Sequence, residues 1–363
     1  MRLTVMTRNS YKEWLQSTGI FMIDFRSDTV TQPCAKMRLA MSEAEVGDDV
    51  YGDDLTVNEF EEWSAITHGF EKALFCSSGT QANLLALMSH CERGDEYLCG
   101  QQAHNYKFEG GGAAVLASIQ PQPVENEPDG SLCLTKLKRY IKPIDPHFAR
   151  TTLLSLENTI NGKVLPLSYL AQSRAFADEH QLKLHLDGAR VYNAAVALDV
   201  DIKEIAQYFD SMTICLSKGL GAPIGSLVLG SADFIAKARR WRKVLGGGMR
   251  QVGILAAAAK IALTDNVNKL KEDHQNALYL ADKLSTIKGI SVDMSQVQTN
   301  MVFVHLASDV NIQNIAKQLK GQGILITPSH NMRLVTHLDI TATDIELFVE
   351  KFSALISLDT RHS

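Results

Sequence analysis

The 363-residue chain has no run of about twenty uncharged apolar residues, which excludes a helical membrane span on length alone. Residues 1–21 lack the continuous apolar core of a signal peptide. Arg2, Arg8 and Lys12 against Glu13 leave only a thin likeness to a transit peptide. The six cysteines (Cys34, Cys76, Cys91, Cys99, Cys133 and Cys215) form no C-x-x-C pair and no zinc-like Cys/His spacing. They read as buried small hydrophobes in a reducing compartment. A strong excess of one charge is also missing: 36 Lys and Arg stand against 41 Asp and Glu, for a formal charge of -5. With no basic stripe, neither nucleic acid nor an anionic membrane is an expected partner. No repeat, low-complexity tract or long Pro/Gly linker is present, so tightly packed domains are expected rather than tethered ones. These absences leave a small-molecule protein of the cytoplasm as the expectation.

What the chain does carry is strand-and-helix alternation. ALFC at 73–76 is followed by a small-residue turn, SSGT, and an apolar helix-period stretch, QANLLALMSHC. YLCG, TTLLSLE, LKLHLD and MTICLS follow as short apolar runs, with helix-like segments such as LSYLAQSRAFADEHQ between them. This pattern predicts an α/β large domain with a mainly parallel sheet covered on both faces. After the GGGM turn at 246–249 the character changes. A charged helix leads into MVFVHL, NIQNIAKQLKGQG, ILIT and MRLVTHL, then a last helix opens at Thr341, with Asp344 as its capping-box acid. Ile345, Phe348, Val349, Phe352 and Leu355 share one face of that helix. The expected division is an N-terminal extension at 1–21, a large domain at 22–265 and a small C-terminal α+β domain at 266–358.

Two motifs carry the chemistry. HLDGAR at 185–190 ends a strand in Asp187, and SKGLG at 217–221 places Lys218 just past the next one. A carboxylate and then an amine, both at strand ends, suit a pyridoxal 5′-phosphate (PLP) enzyme, which needs a partner for its pyridine nitrogen and a lysine for covalent attachment. Ser77, Ser78, Gly79 and Thr80 stand between strand and helix, where unpaired N–H groups and the macrodipole favour a phosphate. Alone, SSGT is an ordinary Ser/Thr N-cap. His104 is placed to stack on a cofactor ring or to meet a substrate hydroxyl, and Arg190 and Arg333 are candidate clamps for a carboxylate. EVGDDVYGDD at 45–54 invites a metal, but it lacks EF-hand spacing, and a solvated loop is the reading taken.

Together these motifs resemble the L-threonine aldolases, PLP enzymes of the aspartate-aminotransferase-like fold (fold type I). The resemblance is carried in order by FRSDTVTQP (25–33), GDDVYGDDLTVN (47–58), FCSSGTQAN (75–83), AHNYKFEGGG (103–112) and SLENTINGKVLPL (155–167). It continues through HLDGARVYNAA (185–195), CLSKGLGAPIGS (215–226) and LGGGMRQ (245–251). PHFARTTLLSLENT at 146–159 is similar to the low-specificity bacterial branch. The resemblance implies that Lys218 attaches the cofactor, Asp187 contacts the pyridine nitrogen and His104 stacks on the ring. Ser78, Gly79 and Thr80 would hold the phosphate, helped by Arg250 from a neighbouring subunit, and Arg190 would also touch the cofactor. Ser27, Arg190 and Arg333 would bind the substrate carboxylate, with His104 and His147 near the β-hydroxyl and no metal. A site shared between chains implies a dimer, doubled to a homotetramer.

The implied reaction is retro-aldol cleavage of a β-hydroxy amino acid: L-threonine or L-allo-threonine would give glycine and acetaldehyde. The base that takes the hydroxyl proton, whether His104, His147, Glu109 or an ordered water, is open at this level, and so is the preference between the two isomers. The alternative enzyme is another PLP-dependent β-eliminating lyase acting on a different amino acid. A PLP-binding protein without turnover is the reading from another class. Residues 1–21 are expected to be dispensable, so a chain begun at Met22 should remain active.

Overall fold

The structure, a computed structural model, describes residues 22–359, and the N-terminal extension expected at 1–21 lies outside them. The chain divides into two compact units. Among the described residues, one comprises Ala40–Ser217 with Ile224–Lys260, and the other comprises 22–39, Lys218–Pro223 and 261–359.

β1 (Ile23–Asp24) belongs to the second unit. The first is built on seven strands: β2 (Lys72–Cys76), β3 (Asp95–Gly100), β4 (Gln120–Val124), β5 (Arg150–Glu157), β6 (Lys183–Gly188), β7 (Ser211–Cys215) and β8 (Ser226–Gly230). Their order is β2-β8-β7-β6-β5-β3-β4. β8 runs antiparallel to both of its neighbours, and the remaining pairs are parallel. The mainly parallel α/β sheet read from the alternation is therefore present. β7 and β8 are buried along their whole length and β6 from its second residue, as expected of strands covered on both faces. β4 and β8 have no counterpart among the expected strands. β4 reads QPQPV and forms the sheet edge, the one place where prolines do not break a ladder.

The helix Gly79–His90 fills one face of this sheet. Ser78 caps it by accepting from the Gln81 N–H at 3.2 Å. Its residues Ala82 to Ser89 are all buried, and a helix apolar nearly all round belongs in a core.

The second unit carries β9 (Ile290–Ser291), β10 (Met301–Leu306), β11 (Ile324–Leu325) and β12 (Asn331–Val335). β12-β10-β9 form an antiparallel sheet, and β1 pairs in parallel with β11. This α+β unit includes residues 22–39 and 218–223, so the division differs from a single cut at 265. The cause is local: Ile23 pairs with Ile324, Phe25 accepts from the Val335 N–H, and its ring lies 4.8 Å from that of Phe348. The last helix, Ala342–Asp359, opens as the sequence predicts. The Thr341 N–H and hydroxyl donate to Asp344, whose own N–H returns to Thr341 Oγ1, and Ile345, Phe348 and Phe352 are fully buried.

Candidate active site

Strand register sets the first unit's site. Glu157, Asp187 and Thr213 are direct neighbours across β5, β6 and β7, the first two at or next to the carboxyl ends of their strands, where ligands bind in open α/β sheets. Asp187 is buried, and Oδ1 accepts from the Ala189 N–H at 3.0 Å. Its Oδ2 accepts from Asn83 Nδ2 at 2.7 Å, and the same amide nitrogen donates to Glu109 Oε1 at 2.8 Å. Thr213 Oγ1 donates to Asn83 Oδ1 at 2.9 Å. Glu109 Oε1 also meets His104 Nδ1 at 2.8 Å, and the His104 N–H is held by Glu157 at 2.8 Å. A continuous network thus joins His104, Glu109, Asn83, Asp187 and Thr213.

The loop that carries Glu109 turns through Gly110 and Gly111, both at positive φ, a conformation that side chains disfavour. Burial raises the Glu109 carboxyl above the usual carboxylate range, and the bond from His104 only partly opposes this. Its Oε2 is buried with no hydrogen-bond partner. Within the same unit, Ser78 and Thr80 stand at the start of the helix, where N–H groups ahead of the intrahelical ladder suit a phosphate. Gly79 has a packing reason for its identity, since a Cβ there would meet Cys215 Sγ at 2.6 Å. Arg190 closes the turn after β6, immediately before the helix Val191–Leu198.

Arg250 is more than half exposed and paired with Asp48 at 3.0 Å. Asp48, Asp49 and Asp54 of the 45–54 loop are engaged by arginines or backbone. Asp49 is buried against Arg242, while Asp54 caps the helix Leu55–His68 and accepts from the Gly253 N–H. His147 lies on an exposed loop with its ring on Asp145 at 2.6 Å, and its described bonds remain within that loop. Cys76, Cys91, Cys99 and Cys215 are buried, but Cys34 is exposed and Cys133 half-buried, which corrects the uniform burial expected of the cysteines.

In the second unit, the Lys218 carbonyl accepts from Thr31 Oγ1 at 2.9 Å and from the Gly221 N–H at 2.8 Å. These bonds fix the backbone of a half-buried lysine. Ser27 caps a short 3-10 turn through the Thr29 N–H. Arg333, on β12, donates to the carbonyl of Arg26, the residue before Ser27, so this unit brings two of the expected carboxylate-binding residues close together.

The profile of the beta-eliminating lyase family matches residues 24–307. A low specificity L-threonine aldolase of Escherichia coli K12 is 56% identical over 320 residues, 88% of this chain and 95% of that protein. The chain belongs to the low-specificity L-threonine aldolase group of that family. A probable low-specificity L-threonine aldolase 2 of Arabidopsis thaliana is 42% identical over 93% of this chain and 98% of its own length. Among solved structures, the threonine aldolase of Leishmania major superposes with a TM-score of 0.78 at 22% identity, covering 92% of this chain and 99% of that one. That likeness speaks to the fold, which is PLP fold type I.

This aldolase-family site fits PLP on its own chemistry. A buried carboxylate that accepts two hydrogen bonds suits a protonated pyridine nitrogen. A capped twelve-residue helix offers its N-terminus to a phosphate. Sequence reasoning missed Asn83 and Thr213. For Asn83 a signal existed: it is the one amide within the apolar stretch Ala82–Met88 of a buried helix.

Proposed function

We propose that the protein is a PLP-dependent carbon–carbon lyase that cleaves L-threonine and L-allo-threonine to glycine and acetaldehyde. The observation that carries this reading is the buried Asp187 carboxylate closing β6 and joined through Asn83 and Glu109 to the His104 ring, in a chain that follows the low-specificity aldolases over most of its length. Bound PLP supplies an electron sink for the pair left on the substrate Cα when the Cα–Cβ bond breaks.

The chain's own residues divide the rest. Lys218 would hold the cofactor covalently. Asp187 would pair with its pyridine nitrogen. Ser78, Gly79 and Thr80 hold the phosphate through backbone and hydroxyl donors, and Arg250, exposed on its loop, serves the phosphate of a neighbouring subunit. Arg333, Ser27 and Arg190 bind the substrate carboxylate and so set the Cα–Cβ bond in the orientation for cleavage. His104 packs on the cofactor ring and takes the β-hydroxyl proton at Nε2, because Glu109 holds Nδ1; general-base help of this kind is worth about 10²–10⁴ in rate. His147 assists at the hydroxyl. A homotetramer of shared-site dimers acting in the cytoplasm, in threonine breakdown and glycine formation, completes the reading. Among the described residues no helix is long and apolar enough to cross a membrane.

The test is aldehyde release by purified protein with PLP from L-threonine, L-allo-threonine, D-threonine and L-serine. Acetaldehyde from both L-isomers of threonine, absent with Lys218→Ala, is the expected result. Pyruvate and ammonia from L-serine without any aldehyde would instead place the chain among the eliminating lyases.

A further inference from the structure

Two carboxylates, Asp187 and Glu109, are buried on one amide. Both hydrogens of Asn83 Nδ2 point to carboxylate oxygens, and Asn83 Oδ1 accepts from Thr213, so the amide cannot flip without losing all three bonds. Oε1 of Glu109 and Oδ2 of Asp187 must therefore both act as acceptors. The remaining Asp187 oxygen also accepts, from the Ala189 N–H. Only Glu109 Oε2 is buried with no partner. Two negative charges bridged this closely in a buried site disfavour each other, and a proton on the pair has one oxygen available to it.

We propose that Asn83 is a positioning residue that assigns the two buried carboxylates opposite roles, keeping the charge on Asp187 for the cofactor and the proton on Glu109 Oε2. The inference rests on the PLP reading above. A neutral Glu109 presents a carbonyl-type oxygen at Oε1, which accepts from His104 Nδ1–H and leaves the ring's lone pair on Nε2. The amide thus determines the tautomer of His104 as well as the charge beneath the cofactor. The groups facing the pair are His104 beside Glu109, Tyr97 on β3, Glu157 on β5, His185 on β6 and Thr213 on β7. Burial holds Tyr97 and His185 in their neutral forms. The upward shift of Glu109, caused first by burial and added to by Asp187, agrees with this assignment.

The experiment compares Asn83→Asp, Glu109→Gln and Glu109→Ala with wild type in two readouts that use no substrate: PLP affinity of the apo protein, and the pH at which the absorbance of bound cofactor changes. Asn83→Asp keeps the acceptor for Thr213 but removes both donors. It should weaken PLP about tenfold or more and move the absorbance transition by about one pH unit. Glu109→Gln, which mimics the neutral acid, should rescue the affinity and transition that Glu109→Ala loses. Unchanged affinity and transition in a folded Asn83→Asp would overturn the proposal. So would Glu109→Gln losing as much as Glu109→Ala, a result that remains readable if Asn83→Asp does not fold. Because neither readout depends on aldehyde release, this assignment stands or falls separately from the aldolase reaction.

Discussion

Asp187 and His185 lie two residues apart on β6 and therefore project to the same face of the sheet, yet their surroundings are opposite in kind. Asp187 is the penultimate residue of the strand and accepts from a helix and a turn, in a network that contains a partnerless carboxylate oxygen. His185 is inside the strand and fully buried, with Nδ1 at 2.8 Å from Ser211 Oγ, to which His90 Nε2 also bonds at 2.6 Å. His90 stacks on Phe234 with ring centroids 4.5 Å apart. Burial pushes the pKa of His185 down to about 3 and that of His90 to about 4, so both rings are neutral. Inside the strand the His185 ring bonds only at Nδ1, its Nε2 is buried without a partner, and the neutral ring serves the core. Two residues further along, the same face carries a hydrogen-bonded carboxylate near the strand's carboxyl end, where ligands bind in open α/β sheets.

The largest way to break this comparison is at the strand-end lysine. Lys218→Ala should reduce aldehyde release by at least about 10⁴-fold, as expected when a covalent catalytic group is removed, with unchanged thermal unfolding of the apo protein. Asp187→Asn should lower kcat by about 10²–10³-fold through loss of electrostatic support while circular dichroism stays that of the wild type. If it unfolded the protein instead, the two positions on β6 would be alike after all.

The histidines make the converse prediction. In His68, His90 and His185 burial holds the folded-state pKa below the unfolded value near 6.5. The unfolded chain therefore binds protons first as the pH falls. The stability that depends on these neutral rings is complete above pH 6.5 and is lost progressively as the pH drops toward about 4. His68, whose pKa lies at about 4, contributes on the order of 3 kcal/mol to that loss. Urea unfolding of His90→Gln should show a shallower decline between pH 6.5 and 4 than wild type, with the pH profile of cofactor absorbance unmoved. The smallest effect sharpens the picture at the phosphate helix. Ser78→Ala removes the cap on the Gln81 N–H and should cost about 1 kcal/mol of stability, measured by urea unfolding, with PLP affinity falling several-fold beside it.

Much of this was legible in the residues. Asp187 and Lys218 could be read because each closes an apolar run, and Thr341 with Asp344 because a capping box has fixed spacing. The buried strands could be read because apolar stretches of five to eight residues between turns have few other fates. β4 could not, because prolines forbid a strand until one knows that it lies at an edge. β8 was hidden within the turn-rich APIGSLVLG, and Asn83 looked like an ordinary helix residue. Residues 22–39 seemed to belong to the domain that follows them in sequence until pairing of Ile23 with Ile324 grouped them with the distant one.

The sequence by itself therefore determined most of the elements, the family and the identities of the chemical groups, since periodicity, caps and motif spacing are local properties. Tertiary structure alone decided which groups share a hydrogen. Asn83, Glu109, Asp187 and Thr213 are 26 to 130 residues apart along the chain, and only the register of β6 on β7 and the seating of one helix on the sheet bring their atoms within 3 Å. Hydrogen bonds and burial act through space, so the pairing of these carboxylates on one amide is a property of the fold.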